Sequence, residues 1–235
     1  MDNKTLLMWL EAPLQSWGHD SKFGRRGTLE FPTKSGVIGV ICCAMGLSDP
    51  DPEILTELVG CGMKVDAYAR KNRFSDEAEN QTVLTDFHMV GSGFDTKDPW
   101  QDLMVPKTSE GKRPASGGPR MTFRHYIQDM AFAVTLEVPE ELLVRVKAAL
   151  ADPVWDIYLG RKSCAPTEFI LQGVFDDEQQ AREKALSLAL EKSRMKTFSV
   201  EEGAKNGEVL MLTDVPVRLG PIKAYRDRKV TILRE

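Results

Sequence analysis

The sequence predicts an α+β fold of the ferredoxin-like or RRM-like type. An apolar run at 5–13, an apolar segment of helical length beginning at Ser35, and an alternating run at 62–71 indicate strand, helix and strand in that order. The same order of patterns returns between 122 and 175. Two such units in succession are typical of the βαββαβ plan, in which four strands form one sheet that is covered by helices.

In the first unit, residues that stop a strand or cap a helix mark where each predicted element begins and ends. The strand TLLMWLEAP stops at a proline, and a glycine-punctuated loop follows at 15–32. The apolar run from Ser35 to Met45 has Thr33 or Ser35 as an N-cap and Gly46 as a C-terminal stop. Its valines and isoleucines also permit a strand, but the flanking TKSG and GLSDPD favour the helix.

The middle of the chain predicts an insertion between the two units, at about 72–121. A strand pattern occurs at 82–90, and 91–120 is rich in Gly, Pro, Ser and charged residues without periodicity. So long an irregular segment in a compact domain is usually functional or partly disordered.

The second unit begins with a long strand predicted at 122–138. An amphipathic helix follows at 139–153 behind a proline, then a strand at 168–175. A second amphipathic helix at 176–193 precedes two closing strands, EVLMLTDVPV and RKVTILRE. We therefore expect a domain at 1–175 and a small C-terminal α/β extension at 176–235.

The composition argues against a membrane-spanning, secreted or disulfide-rich protein. The 235 residues are 42% hydrophobic and 28% charged, with no apolar run of membrane-spanning length and no recognisable signal peptide. The four cysteines fit neither a disulfide framework nor a metal knuckle, so we expect buried, reduced thiols and a cytoplasmic protein. No HxxxH motif indicates a metal site, and no metal or cofactor is predicted.

Basic residues are segregated from acidic ones. The net charge of the chain is −4, yet the segments 22–34, 107–128 and 218–235 carry local net charges of +3, +4 and +4. Such segregation permits an anion-binding face on an acidic protein.

The turn before the apolar helix is a candidate phosphate site. Thr33, Lys34, Ser35 and Gly36 would combine two hydroxyls, an ammonium and the free N–H groups of a helix N-terminus. A nucleotide-binding P-loop is not predicted, because its glycine precedes the Lys-Ser pair and here glycine follows it. A capped core helix with an incidental lysine remains the alternative.

The preceding loop mixes aromatic and cationic side chains, which suits single-stranded RNA better than a small metabolite. Its candidate RNA-binding residues are Gln15, Trp17, Lys22, Arg25 and Arg26.

These residues carry a family resemblance. The block APLQSWGHDSKFGRRGTLEFPTKSGVIGVICCAMG resembles the N-terminal signature of the CRISPR-associated CasD family, the fifth Cas family. Similar blocks follow in order: DFHMV, FRHYIQDMAFAV, YLGRKSCAP, DVPV and YRDRKV. Members are repeat-associated (RAMP) subunits of the type I-E Cascade complex.

The resemblance implies a ferredoxin-like RAMP domain with a protruding thumb. It implies a non-catalytic subunit that caps the 5′ handle of crRNA and contacts the backbone subunit and the large PAM-reading subunit, and through them target DNA. By motif, Gln15, Trp17, Arg25 and Arg26 would line the handle site, Thr33 to Gly36 would hold phosphate, and Arg124, Tyr126, Arg161 and Lys162 would add contacts. Lys107, Lys112 and Arg113 of the insertion are candidates on charge alone.

The alternative is a metal-independent endoribonuclease that processes precursor CRISPR RNA, as some relatives in another subtype do. Such cleavage needs a general acid and base, which histidine supplies. His125 has Arg124 and Tyr126 as neighbours, but adjacent residues of a strand point to opposite faces. His125 and Tyr126 are therefore not expected to enter one active site, and no catalytic residue is predicted.

Overall fold

The computed structural model describes residues 3–19, 21, 24–50, 52–90, 97–102, 107–112 and 120–235. The helices and strands in chain order are β1 (Asn3–Glu11), β2 (Leu14–Gln15), β3 (Arg25–Arg26), α1 (Lys34–Ala44), α2 (Pro52–Gly60), β4 (Gly62–Arg70), β5 (Thr82–Val90), α3 (Pro99–Asp102), β6 (Arg120–Gln128), β7 (Ala131–Pro139), α4 (Glu140–Ala151), β8 (Leu171–Phe175), α5 (Glu178–Glu191), β9 (Arg194–Glu201), β10 (Glu208–Arg218) and β11 (Ala224–Arg234).

The main sheet has seven strands in the order β10-β11-β9-β4-β7-β1-β8. Its last four strands come from the two strand–helix–strand units, β1-α1-β4 and β7-α4-β8, and every neighbouring pair among them is antiparallel. Numbered within the βαββαβ plan, their order is 2-3-1-4, which is that of a ferredoxin-like sheet. The predicted fold class is therefore confirmed.

The segment after residue 175 extends this same sheet. The strand β9 pairs with β4, and the long hairpin of β10 and β11 continues beyond it. Sequence patterns did not predict β9 or the helix α2. The long strand predicted at 122–138 is wrong, because the chain turns at Asp129, which has a left-handed φ of 51°, and passes from β6 into β7.

The core lies on both faces of the main sheet. On one face α1 is enclosed by α2, α4 and β10, which explains why its run Val37 to Ala44 is apolar almost all round. On the other face α5 packs small residues, among them Ala181 and Ala185, against Trp9 and Tyr68. Among the described helices, none combines the length and apolar character needed to cross a bilayer.

Three of the four cysteines are buried: Cys42, Cys61 and Cys164. Burial raises the pKa of Cys42 and of Cys61 to about 11, so both remain thiols at neutral pH. The expectation of buried, reduced thiols is confirmed for these three positions, and Cys43 is partly exposed.

A second, smaller sheet contains β5 of the predicted insertion. The strands β5 and β6 pair over their full length as a hairpin, and the short strands β2 and β3 also pair with β6. One face of the hairpin exposes apolar side chains, including Phe87 at 52% and Phe123 at 39%. Through β6, the hairpin pairs with β3 of the N-terminal loop, and β6 leads directly into β7 of the main sheet.

Gly160 fixes the contact between two loops that border this smaller sheet. Its φ of +91° is left-handed, and a Cβ at this position would lie 1.7 Å from the Ser16 carbonyl oxygen. We expect Gly160→Ala to lower the free energy of unfolding by about 2 kcal/mol or more, because strain and clash add. Urea denaturation measures this.

Gly39→Ala is the matched control for Gly160→Ala. Gly39 lies within α1, and a Cβ there would meet no atom within 4 Å. Alanine should therefore stabilise the protein by about 0.5–1 kcal/mol through helix propensity. Equal stability of the two variants would contradict the proposed role of Gly160.

Candidate nucleic-acid interface

The N-terminus of α1 is capped from within the protein. Thr33 is the N-cap, and its side chain accepts a hydrogen bond from the Gly36 N–H at 3.1 Å. The Lys34 N–H donates to Asp214 Oδ2 at 2.8 Å, and Arg228 holds the same carboxylate with two hydrogen bonds of 2.7 and 2.8 Å. A carboxylate of the chain therefore occupies the position where a phosphate was predicted.

The side chain of Lys34 is also withdrawn from solvent. Lys34 is only 7% exposed, and its Nζ lies 3.9 Å from Glu202. Burial is the main cause that lowers the pKa of this ammonium, and the neighbouring Arg228 lowers it further. The predicted phosphate contact of Thr33 and Lys34 is thus wrong, and the alternative of a capped core helix describes these two residues.

Gln15 and Trp17 are core residues rather than surface contacts. They are 0% and 1% exposed, and the Trp17 indole N–H donates to Gln15 Oε1 at 3.2 Å. The Gln15 amide donates to the Met130 carbonyl at 2.7 Å. A Cβ on Gly36 would lie 2.8 Å from the Trp17 ring, so Gly36 allows this ring to pack against α1. The prediction that Gln15 and Trp17 directly line an open RNA surface is wrong.

The remaining predicted cations converge at β3 and β6. Arg26 pairs in register with Arg124, and Arg161 Nη2 donates to the Arg26 carbonyl at 3.1 Å. The Arg161 guanidinium also lies 4.6 Å above the Tyr126 ring, which is 5% exposed. We call Arg26, Arg124 and Arg161 the arginine cluster; the chain brings them together from positions up to 135 residues apart.

Two further cations flank the arginine cluster. Arg25 is exposed beside it, with its guanidinium 5.9 Å from the centroid of the Phe123 ring. Lys162 is exposed directly after Arg161. Arg25 lies with Phe123 on the opposite face of the strands from Arg26 and Arg124, so it flanks the arginine cluster without joining it. The assignment of these residues to RNA remains a prediction.

The arginine cluster makes no ion pair with a described carboxylate, and the carboxylate at the facing register position is Asp86 on β5, opposite Arg124. Within the described parts of the chain, no carboxylate lies within ion-pair distance of Arg26, Arg124 or Arg161. Arg161 Nη1 is buried and has no hydrogen-bond partner in this part of the structure. A buried donor without a partner is costly, and three like charges side by side repel one another. An anionic ligand would relieve the repulsion between the like charges.

The insertion contributes less to this region. Lys107 and Lys112 are exposed, and Lys112 is paired with Glu110 at 3.1 Å, so part of its charge is offset locally. Lys22 and Arg113 lie outside the described residues.

The sequence reasoning missed a cavity of about 340 Å³ next to the arginine cluster. Four predicted residues line it, namely Trp17, Thr33, Ser35 and Gly36, together with Tyr158, Lys223 and Tyr225, which were not predicted. The basic run at 218–235 was the available signal, but nothing in it indicated that Lys223 and Tyr225 would face α1.

The geometry around His125 matches the expected alternation of the strand. His125 Nδ1 lies 3.3 Å from the Arg26 carbonyl, whereas Tyr126 is buried beneath Arg161. The two side chains do not meet in one site. In the described ranges, no three His, Cys, Asp or Glu side chains are grouped as metal ligands would be.

Comparison with known proteins decides the family. A family model described as CRISPR-associated protein (Cas_Cas5) matches residues 5–231. The chain belongs to this Cas5 family. The family resemblance read from the sequence motifs is thereby confirmed.

Individual relatives of this Cas5 chain agree with the assignment. The CRISPR system Cascade subunit CasD of Escherichia coli (strain K12) is 28% identical over 174 residues, which cover 72% of this chain and 70% of that protein. A chain of a solved CRISPR RNA-guided surveillance complex superposes with a TM-score of 0.71 at 24% identity, covering 98% of this chain and 89% of that one. The crystal structure of a Cas protein gives 0.53 at 23% identity, covering 98% and 93%. At these identities the two structures show a shared fold.

Proposed function

We propose that this Cas5-family chain is a non-catalytic subunit of a Cascade-type surveillance complex, in which it binds and caps the 5′ handle of crRNA. In that complex it bridges the backbone subunit and the large PAM-reading subunit, in the cytoplasm. The similarity to a Cascade subunit supports the assembly. The arginine cluster, in which Arg26, Arg124 and Arg161 converge without an ion pair to a described carboxylate, is the observation that supports RNA as the ligand.

The arginine cluster would bind a polyanion in preference to other basic positions, because several other cations of the protein already form ion pairs with carboxylates. Lys64, Arg182, Arg194 and Arg228 are held by carboxylates of the chain. The arginine cluster is not held in this way among the described residues. Guanidinium groups match phosphate geometry with paired donors and stay charged at every physiological pH.

The RNA strand would run along β6 and the loop that contains Arg161. Arg26 and Arg124 supply adjacent charges at the β3–β6 edge, and Arg161 supplies a third from the 160–162 loop. Neutralising several phosphates in this way releases counterions, so the affinity should fall steeply with salt.

Binding rather than cleavage is part of this proposal. In-line attack by a 2′-hydroxyl needs a base and an acid on either side of the reacting phosphate. His125 faces the Arg26 carbonyl, and Tyr126 packs under Arg161, so the two strand neighbours do not act on one phosphate.

The test uses the purified full chain and two single-stranded RNAs of equal length, one with the repeat-derived handle at its 5′ end and one with that handle scrambled. We expect the handle RNA to bind at least tenfold more tightly and to stay uncut with or without EDTA. Co-purification from cells should bring down the backbone and large subunits together with crRNA.

Equal affinity for the two RNAs would refute handle recognition. Site-specific cutting that persists in EDTA and disappears in His125→Ala would refute the non-catalytic assignment. Thr85→Ala, at the position opposite His125 on β5, is the matched control for disturbance of the hairpin.

A further inference from the structure

The connection between β4 and β5 begins with a closed turn that displays one phenylalanine. Phe74 is 97% exposed, more than any other large apolar side chain in the described ranges. Lys71 and Ala78 form an antiparallel bridge at the base of this turn, and we call residues 71–78 the Phe74 turn. Because single exposed apolar residues are common on protein surfaces, the feature that matters is how firmly this one is held.

Hydrogen bonds hold the Phe74 turn in one conformation. The Asn72 N–H donates to the Glu77 carbonyl at 2.8 Å, which closes the turn. The Phe74 N–H donates to Asn72 Oδ1 at 2.8 Å, so the backbone of the phenylalanine itself is fixed. Lys71 Nζ lies 2.6 Å from Asp76 Oδ1 within the same turn. An aromatic residue on such an ordered turn loses little conformational entropy when a partner covers it.

The base of the Phe74 turn is joined to the main sheet. The Lys71 N–H donates to the Ser193 carbonyl at 2.9 Å, directly before β9. Arg70 Nη2 lies 3.0 Å from Asp129 Oδ1, in the turn between β6 and β7. The phenylalanine is therefore presented from the end of a central strand of the sheet, and its position is set by the core of the protein.

The charges around Phe74 favour a protein partner over a nucleic acid. Between residues 70 and 79, three basic residues are matched by three acidic ones, so the local net charge is zero. A nucleic acid is held mainly by an excess of positive charge that neutralises its phosphates. A protein interface instead takes most of its affinity from a few buried aromatic anchors, with a polar rim around them.

We propose that the Phe74 turn docks onto another protein subunit of the surveillance complex, which receives the Phe74 ring in an apolar pocket. The inference rests on the assembly part of the proposed function and does not depend on RNA binding. Arg73 precedes the ring in the chain, and Asp76 and Glu77 follow it, so a pocket rim that carries both acidic and basic residues would be complementary.

The test uses the full chain assembled with crRNA and the other subunits of its complex. Phe74→Ala should raise the dissociation constant for one of those subunits by about 10- to 100-fold, the effect of losing an aromatic anchor. The melting temperature of the free chain and its affinity for handle RNA should stay unchanged, because the Phe74 ring is almost fully exposed there.

Phe169→Ala is the matched control. Phe169 is 87% exposed and lies just before β8, at the edge of the main sheet, so it removes an equally exposed ring elsewhere. This variant should leave the dissociation constant unchanged. Asn72→Ala keeps the Phe74 ring but removes the acceptor of the Phe74 N–H. It should weaken binding of the same subunit by about 2- to 10-fold, since the turn is less well ordered before docking.

A photoreactive side chain identifies what covers the ring. In the assembled complex, Phe74→p-benzoylphenylalanine should cross-link on irradiation to the same subunit that Phe74→Ala releases. Cross-linking to RNA, to DNA or to a second copy of this chain overturns the inference. Unchanged subunit affinity in Phe74→Ala, or an equal loss in Phe169→Ala, overturns it as well.

These outcomes separate the docking inference from the proposed function. A wild-type chain that binds its partner subunits but not the handle RNA overturns handle recognition and leaves docking through Phe74 standing. A wild-type chain that binds the handle RNA while Phe74→Ala assembles normally has the reverse meaning. If the wild-type chain associates with no other subunit, both the inference and the assembly part of the proposed function are wrong.

Discussion

Asp214→Ala should lower the free energy of unfolding by about 3–5 kcal/mol, the usual cost of breaking a buried ion pair by removing one partner. Asp214 and Arg228 are 4% and 8% exposed and are joined by two hydrogen bonds. Without the carboxylate, Arg228 keeps only Glu202 as a partner, and the Lys34 N–H loses its acceptor at the start of α1. Urea unfolding followed by circular dichroism measures the change.

Asp227→Ala is the matched control for this prediction. Asp227 is an exposed aspartate on β11, in the same hairpin as Asp214, and accepts a hydrogen bond from Thr213 at 2.6 Å. Its loss should cost no more than about 1 kcal/mol. The double variant Asp214→Leu, Arg228→Met should recover much of the lost stability, because it leaves no buried charge unpaired. If Asp214→Ala and Asp227→Ala were equally stable, the buried pair would not anchor α1.

Arg26→Gln combined with Arg161→Gln should weaken handle RNA binding by about 10- to 100-fold at low salt, because two phosphate contacts are removed. The slope of log affinity against log salt should become shallower by about 1.4, since each single-strand phosphate contact contributes about 0.7. Fluorescence anisotropy at several salt concentrations gives both quantities. The thermal melting temperature checks that the fold survives.

The control for the double arginine variant has the same change in charge elsewhere. Lys147 on α4 and Lys184 on α5 are exposed, and α5 packs on the sheet face opposite to α1. Lys147→Gln combined with Lys184→Gln should leave the salt slope unchanged. If both double variants lost affinity equally, binding would depend on net charge and not on the arginine cluster.

The fold class could be predicted because the hydrophobic patterns that determine it lie within short stretches of the sequence. Helical spacing in 140–151 reflects which side of α4 is buried, whereas the alternation at 62–70 located β4 although that strand is buried on both faces at 65–69. The order of such elements yields the ferredoxin-like plan. The break between β6 and β7 was missed because Asp129 adopts a left-handed conformation that the apolar pattern does not reveal. The helix α2 was hidden in a segment that the sequence showed mainly as acidic.

Some residues of the candidate site could be predicted from the sequence and others could not, for a physical reason. Arg26, Arg124 and Arg161 come from motifs far apart in the sequence, and the structure brings them together, although their role in RNA binding remains a prediction. Lys34 was misassigned because its N–H is satisfied by Asp214, which lies 180 residues away. Pairing over such a distance leaves no trace in a short motif. Trp17 was misassigned because aromatic residues in a polar loop resemble exposed ones until the fold covers them.

The internal cap on α1 has a consequence for the thermodynamics of recognition. Because Asp214 supplies the anion, the start of α1 is held in place without any bound polynucleotide. A preorganised receptor loses little conformational entropy when its ligand binds, so a modest number of guanidinium contacts suffices for tight association. Assembly of the ribonucleoprotein should then proceed by docking onto a rigid platform, without folding coupled to binding.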